Sequence, residues 1–181
     1  MRGIWKYLFK EFQSEPDMEW VAIDATIVRA HACAAGYKKD SQQKEALGRS
    51  RGGFSTKIHA LVDALGNPLK FILTPGQQHE ITKAPELIEG IFNATLLADT
   101  AYSAQSFREQ LNKQSCEATI PFPKNSKNFM NYDKNLYQHR HVIECFFGKI
   151  KHFRRVFSRF EKTASSYLAF LHFVGVFIWL R

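Results

Sequence analysis

The chain has 181 residues, a formal net charge of +8, 45% apolar residues and sixteen phenylalanines. That apolar share excludes a disordered chain, and the length suits one domain with a proper core. The positive balance points to a polyanionic partner, nucleic acid before membrane.

Residues 1–19 alternate aromatic and charged side chains and close on Ser14-Glu-Pro-Asp17, a turn signal, so they read as one amphipathic helix. The opening Met1-Arg-Gly-Ile-Trp-Lys-Tyr-Leu8 lacks the apolar core of a signal peptide. Trp20 to Arg29 is rich in β-branched residues and predicts a strand. Asp24 lies at its centre with apolar neighbours on both sides. A charge there costs several kcal/mol unless it is paired or bound to a cation. Residues 30–56 lose periodicity and end in Gly48-Arg-Ser-Arg-Gly-Gly53, a basic loop whose backbone could approach phosphates closely.

Thr56–Asp63 and Leu69–Thr74 predict two strands around a hairpin turn at Leu65-Gly-Asn-Pro68, with Asp63 structural at the turn edge. Thr74 to Glu80 reads as a loop and Lys83–Gly90 as a short helix. The apolar run from Asn93 stops on Asp99. Ser103 is the expected N-cap of a helix over 104–113, so the Asp99 carboxylate stands at a strand's carboxyl end, where open α/β sheets bind ligands. A proline-broken strand, Cys116–Pro123, and a polar basic loop over 124–136 follow.

Read as a helix at about 100° per residue, Tyr137 to Lys151 gathers Tyr137, Arg140, Glu144 and Lys151 within about 60° of one face. Ile143, Phe146, Phe147, Ile150 and Phe153 fall on the opposite face. Glu144 is the one acid of that stretch, and Lys149, Lys151, His152, Arg154, Arg155 and Arg159 follow before Glu161. A helix stabilised by surface ion pairs would mix its signs. This one sets a carboxylate beside a cation in a surface suited to an anion. The apolar tail from Tyr167 to Leu180 falls short of the roughly 20 residues that span a membrane, so it reads as a buried terminal helix. Cys33, Cys116 and Cys145 form no Cys-x-x-Cys pair, which speaks against a disulfide framework or a zinc site and for a reduced, cytoplasmic setting.

Asp24, Asp99 and Glu144 together, in a basic protein, point to a carboxylate cluster that holds two divalent cations. Two metals about 3.5–4 Å apart bind the attacking and leaving oxygens of an in-line phosphoryl displacement. Mg²⁺, or Mn²⁺ in its place, suits carboxylates and phosphate oxygens.

The spacing Tyr137-(2)-Arg140-(3)-Glu144-(6)-Lys151 resembles the helix motif of bacterial insertion-sequence transposases of the DDE type. Val21-Ala-Ile-Asp-Ala-Thr26, Gly48 through His59, and Leu97-Ala-Asp-Thr-Ala-Tyr102 are similar to that family's other blocks, in order. The resemblance implies an α/β, ribonuclease-H-like fold, a mixed sheet flanked by helices, over residues 20–181, with residues 1–19 an N-terminal helical remnant. It implies Asp24, Asp99 and Glu144 as catalytic metal ligands for two Mg²⁺ or Mn²⁺ ions. Tyr137, Arg140 and Lys151 would contact DNA phosphates, with Arg49, Arg51 and Lys57 as further DNA-binding residues. The implied chemistry is cleavage at the element's ends and transfer of the freed 3′-hydroxyl to target DNA. Its partners would be double-stranded DNA and further copies of the chain in a homodimer or larger synaptic complex, on the bacterial nucleoid and with no membrane. Relatives carry a helical region that reads inverted repeats, so the chain is expected to be the catalytic part alone, either the second reading frame of a frameshifted pair with a separately encoded N-terminal recognition product or a truncated relic. Thr100 and Cys145 depart from the Lys and Arg common in relatives. A different class of function, a catalytically inactive fragment that binds DNA or oligomerises to regulate a complete enzyme, is the alternative.

Overall fold

The computed structural model describes residues 3–35, 44–50, 52–123 and 132–181. The alternating pattern of Trp20–Ala30 makes β1, the central strand. Trp20, Ala22 and Val28 face one core, and Val21 and Ile23 face another. Along one edge, from Ala22 to Arg29, β1 pairs antiparallel with β3 (Gly53–Val62), Asp24 standing opposite Ala60. β4 (Pro68–Pro75) continues the antiparallel order beyond β3. The hairpin turn is held by Asp63, fully buried, whose Oδ1 accepts from the amides of Leu65 (3.0 Å) and Asn67 (2.7 Å). Gly66 takes a positive φ of 83° there and lies against Val142, where a Cβ would not fit. Asp63 is thus the structural residue that the sequence predicts.

On the other edge of β1 the sheet turns parallel. β5 (Thr95–Leu97) pairs with Trp20–Ala22, and β6 (Glu117–Thr119) pairs with β5. Farther along, β7 (Ser158–Arg159) pairs with Arg29 and Ala30. Between these two partners, from Ile23 to Val28, that edge of β1 carries no strand among the described residues. The gap is where the site forms.

α1 (Ile4–Glu11), α6 (His141–Lys151), the short α7 (Arg154–Phe157) and α8 (Ala164–Trp179) cover one face of the sheet. α8 approaches α1 closely enough that a Cβ on Gly175 would lie 2.5 Å from Phe9 Cε2. α3 (Ala84–Leu87) and α4 (Gln105–Lys113) cover the other face. Ile143, Phe146, Phe147 and Ile150 are buried, as the helical period predicts. Among the described residues no helix is long and apolar enough to cross a membrane. All three cysteines are free.

Four expectations shift. The basic stretch expected to be a loop holds α2 (Ala32–Ala35) and β2 (Gly48–Ser50), which pairs with the start of β3. Three residues are too few to show alternation, so their pairing is set by β3. The helix expected from Lys83 begins as a 3₁₀ turn at Glu80–Lys83. Ser103 does not cap α4; Asp99 instead caps a 3₁₀ turn at Thr100–Tyr102, its Oδ1 accepting from Ala101 N at 2.7 Å. The helix expected from Tyr137 begins earlier, as α5 (Lys134–Gln138) capped by Asp133. It is then interrupted at His139 and Arg140 before α6. Across the interruption the amides of His139, Arg140, Val142 and Ile143 bond to carbonyls three residues back, a tightening of the helix rather than a bend at Gly or Pro.

Candidate active site

Asp24 and Asp99 are brought level by strand register. Ala22 pairs with Leu97 in the parallel β1–β5 ladder, so two residues farther on both chains present an acid at the mouth of the gap. Asp24 shares the parity of Trp20 and Ala22, which turns it toward the helix α6 side. Its Oδ1 accepts from Ala25 N at 2.7 Å and its Oδ2 from Arg140 Nη1 at 3.1 Å. Burial pushes its carboxyl up to about 6, against the lowering effect of the Ala25 amide and Arg140, and the nearby Asp99 and Glu80 push the same way as burial.

Arg140 spans two acids. While Nη1 holds Asp24, Nη2 donates to Glu144 Oε1 one helical turn along. Burial works against the charge of its guanidinium, but Asp24 and the acids around it hold its pKa above the ordinary value. The tightened backbone at His139 and Arg140 puts this side chain at the open edge of β1, with the His139 ring 5.8 Å from that of Trp20. Arg140, expected to contact phosphate, is therefore engaged with the site's own carboxylates. Glu144 is 56% exposed along its side chain and reaches Asp24 only through this guanidinium.

The third acid that does meet Asp24 and Asp99 is Glu80. One carboxylate oxygen from each of the three lies within 4.8 Å of the others. Like charges this close repel, and a hard divalent cation taking oxygen ligands relieves that repulsion. The residues therefore fit a Mg²⁺ or Mn²⁺ ion. Sequence reasoning missed Glu80 because it sits in a polar turn where a carboxylate costs nothing locally. The signal was Lys57, an isolated cation in an apolar strand that needed a partner.

Lys57 itself, expected to face DNA, is 8% exposed along its side chain. Its Nζ donates to Gln78 O at 2.8 Å and pairs with Glu80 Oε1 at 3.2 Å. In this arrangement it anchors the Glu80 turn. Arg49 is exposed on β2, its guanidinium 5.7 Å from the Phe54 ring centre. Arg51 lies outside the described residues. Tyr137 is half-buried on α5, its ring 5.9 Å from the Arg140 guanidinium and 5.4 Å from Tyr132. Burial raises its phenol above the ordinary value. Lys151 ends α6, partly exposed, its side chain with no hydrogen bond or ion pair among the described residues.

Residues 15–174 match the family described as the transposase DDE domain. The chain is 37% identical over 129 residues to a transposase for insertion sequence element IS6501 of Brucella ovis, covering 70% of this chain and 99% of that protein. It is 30% identical over 135 residues to a transposase for insertion sequence element IS402 of Burkholderia cepacia, covering 68% of this chain and 61% of that one. Among solved structures, the piggyBac transposase, determined as a synaptic complex with hairpin DNA, superposes with a TM-score of 0.59 at 10% identity, covering 97% of this chain and 48% of that one. This likeness is one of fold, and the mixed sheet with its flanking helices is ribonuclease-H-like.

Proposed function

The chain belongs to the transposase DDE domain family, and on that premise we propose that it cuts DNA at the ends of an insertion sequence and joins the freed ends to target DNA. The observation that carries the reading is the meeting of Asp24 and Asp99 at the open edge of β1, with Arg140 tying Asp24 to Glu144. Asp24, Asp99 and Glu144 would hold two Mg²⁺ or Mn²⁺ ions. Bound there, the ions supply Lewis-acid activation of the attacking oxygen and stabilise the leaving one.

The chain's own residues do the rest. β1 and β5 fix two carboxylates in register, so the geometry does not depend on a mobile loop. Arg140 keeps Glu144 directed toward Asp24 and meets the phosphate beside the cut with the donors the carboxylates leave free. Tyr137, Lys151 and Arg49 extend a cationic and aromatic track for the backbone on either side. In cleavage, a water oxygen bonds to phosphorus and the bond to O3′ breaks, which leaves a 3′-hydroxyl. In transfer, that 3′-oxygen attacks a target phosphorus and releases a second 3′-hydroxyl, so one site serves both steps. Two ends must be held together, which favours a dimer or larger synaptic assembly.

The test is a supercoiled plasmid carrying the element's two ends, incubated with protein and Mn²⁺ or Mg²⁺. Wild type should nick and join DNA. Asp24→Asn, Asp99→Asn and Glu144→Gln should each bind DNA in a gel shift yet leave the plasmid intact. Wild-type protein that binds DNA and never cuts it would replace this reading with the regulatory one.

A further inference from the structure

The metal position between Asp24 and Asp99 has a third wall that the family motif does not contain. We propose that Glu80 is a protein ligand of the divalent cation held there, that Lys57 positions it, and that the Tyr102 hydroxyl donates a hydrogen bond into the same oxygen cluster. This rests on the metal-dependent reading above and deepens it.

Three independent features converge on Glu80. Its carboxylate lies within 4.8 Å of ligand oxygens from both Asp24 and Asp99. The turn that carries it is fixed before any ligand arrives. A Cβ on Gly76 would overlap Ser55 Oγ, so the chain leaves β4 pressed against β3. Gln78 Nε2 then bonds Thr82 Oγ1 (3.0 Å), and Thr82 Oγ1 donates to His79 O (2.6 Å). Lys57 Nζ binds both the Gln78 carbonyl and Glu80 Oε1, which leaves Glu80 an oxygen free to turn to Asp24 and Asp99.

Tyr102 is the second kind of evidence. It is fully buried, and its hydroxyl has no hydrogen-bond partner among the described residues. A buried phenol left unpaired is costly, and such groups usually serve a ligand or a water. Burial holds its phenol well above the ordinary value, and the charges of Asp24, Glu80 and Asp99 raise it further, so the hydroxyl lies near the acid cluster. It ends the 3₁₀ turn that Asp99 caps, which fixes the hydroxyl relative to that carboxylate. A water that completes an ion's shell would meet its bond.

The assignment differs from the motif in what it predicts for protein without DNA. Glu144 is mostly exposed and bound to Arg140, whereas Glu80 is already directed at the two aspartates. Mn²⁺ binding to the whole chain, without DNA, measured by titration calorimetry and by the loss of the free-ion electron paramagnetic resonance signal, tests it. Glu80→Gln should weaken Mn²⁺ binding by about tenfold or more, as should Asp24→Asn, and Glu144→Gln should change it less than about twofold. Glu80→Asp keeps the charge and the pairing with Lys57 but shortens the arm; it should bind Mn²⁺ at intermediate strength. Should Glu80→Gln fail to fold, Glu80→Asp still decides the matter. Tyr102→Phe and Lys57→Met should each weaken binding by a smaller factor while the melting temperature shows a folded chain. Wild-type affinity in Glu80→Gln or Glu80→Asp, with Asp24→Asn defective, would overturn the role of Glu80 and leave the metal-dependent reading standing. Wild-type protein that binds no Mn²⁺ at millimolar concentration would overturn both.

Discussion

Replacing Asp24 by Asn should stabilise the metal-free protein while removing its metal site. Asp24 is 17% exposed along its side chain, and burial lifts its carboxyl from 3.8 to about 6 even with Arg140 beside it. Its pKa is thus higher folded than unfolded, so the stability it contributes is present at low pH and is lost as pH rises through about 6. One pKa unit is about 1.36 kcal/mol, so the shift costs the fold about 3 kcal/mol at pH 7. Asn copies the neutral acid's shape and escapes that cost; the folded value of about 6 already includes the attraction of Arg140, so the gain is the same, about 3 kcal/mol. For a domain of this size that is roughly 6–12 °C in melting temperature. The assay is urea unfolding of both proteins from pH 4 to 7.5 in EDTA. The Asn advantage should shrink toward zero near pH 4. Added Mn²⁺ should reverse the order, because an ion at about a thousand times its dissociation constant adds about 4.1 kcal/mol to the protein that binds it. An Asn variant that is less stable at pH 7, by an amount that does not change with pH, would refute the reasoning: the Arg140 pair would then outweigh the burial of the charge.

Acid should destabilise the chain through two histidines. Burial lowers His59 and His172 to about 4, so the unfolded chain takes up more protons between about pH 6.5 and 4. Stability should fall across that window by up to about 3 kcal/mol per histidine, most plainly in Asp24→Asn, where the opposing carboxyl is gone; a flat urea-unfolding profile would contradict it. Gly175→Ala should lower stability by about 1–2 kcal/mol in the same assay, since the added Cβ meets the Phe9 ring, stacked on Phe71, and the overlap exceeds the gain in helix propensity. Lys151→Ala should weaken DNA binding across sequences and reduce the slope of log K against log salt by roughly one. An unchanged slope would remove Lys151 from the phosphate track.

What the sequence made legible followed from local cost. An acid that interrupts an apolar run is expensive, so Asp24 and Asp99 stood out, and the 3.6-residue period of Ile143, Phe146, Phe147 and Ile150 fixed the buried face of α6. Features set by long-range pairing were not legible. The interruption at His139 and Arg140 carries no Gly or Pro to mark it, and it aims Arg140 at Asp24, 116 residues away in sequence. Lys57 read as a DNA-facing cation because basic residues surround it. Its strand parity, shared with Leu61 of the inner core, turns it inward instead. Ser103 was the plausible cap by residue type, but Asp99 reaches Ala101 N first and so takes on both capping and a place in the acid cluster. Glu80 depended on the β3–β4 hairpin, which returns the chain to Lys57.

The gap in the edge of β1 explains why the site is there at all. β5 leaves β1 after Ala22 and β7 joins only at Arg29, so on that edge Asp24 emerges where, among the described residues, no strand screens it. Groups arrive there from both faces of the sheet: Arg140 and Glu144 from the α6 side, Glu80 and Tyr102 from the side of α3 and α4. Four carboxylates, Asp24, Glu80, Asp99 and Glu144, then stand against two cations, Arg140 and Lys57. The excess of two negative charges equals one divalent ion. On the proposed function, charge balance would favour a single ion before DNA binds, with a second held when phosphate oxygens add their own negative charge beside Glu144. The substrate would then help to assemble the site that cuts it, and a free chain with one ion would be a poor nuclease toward DNA it has not engaged.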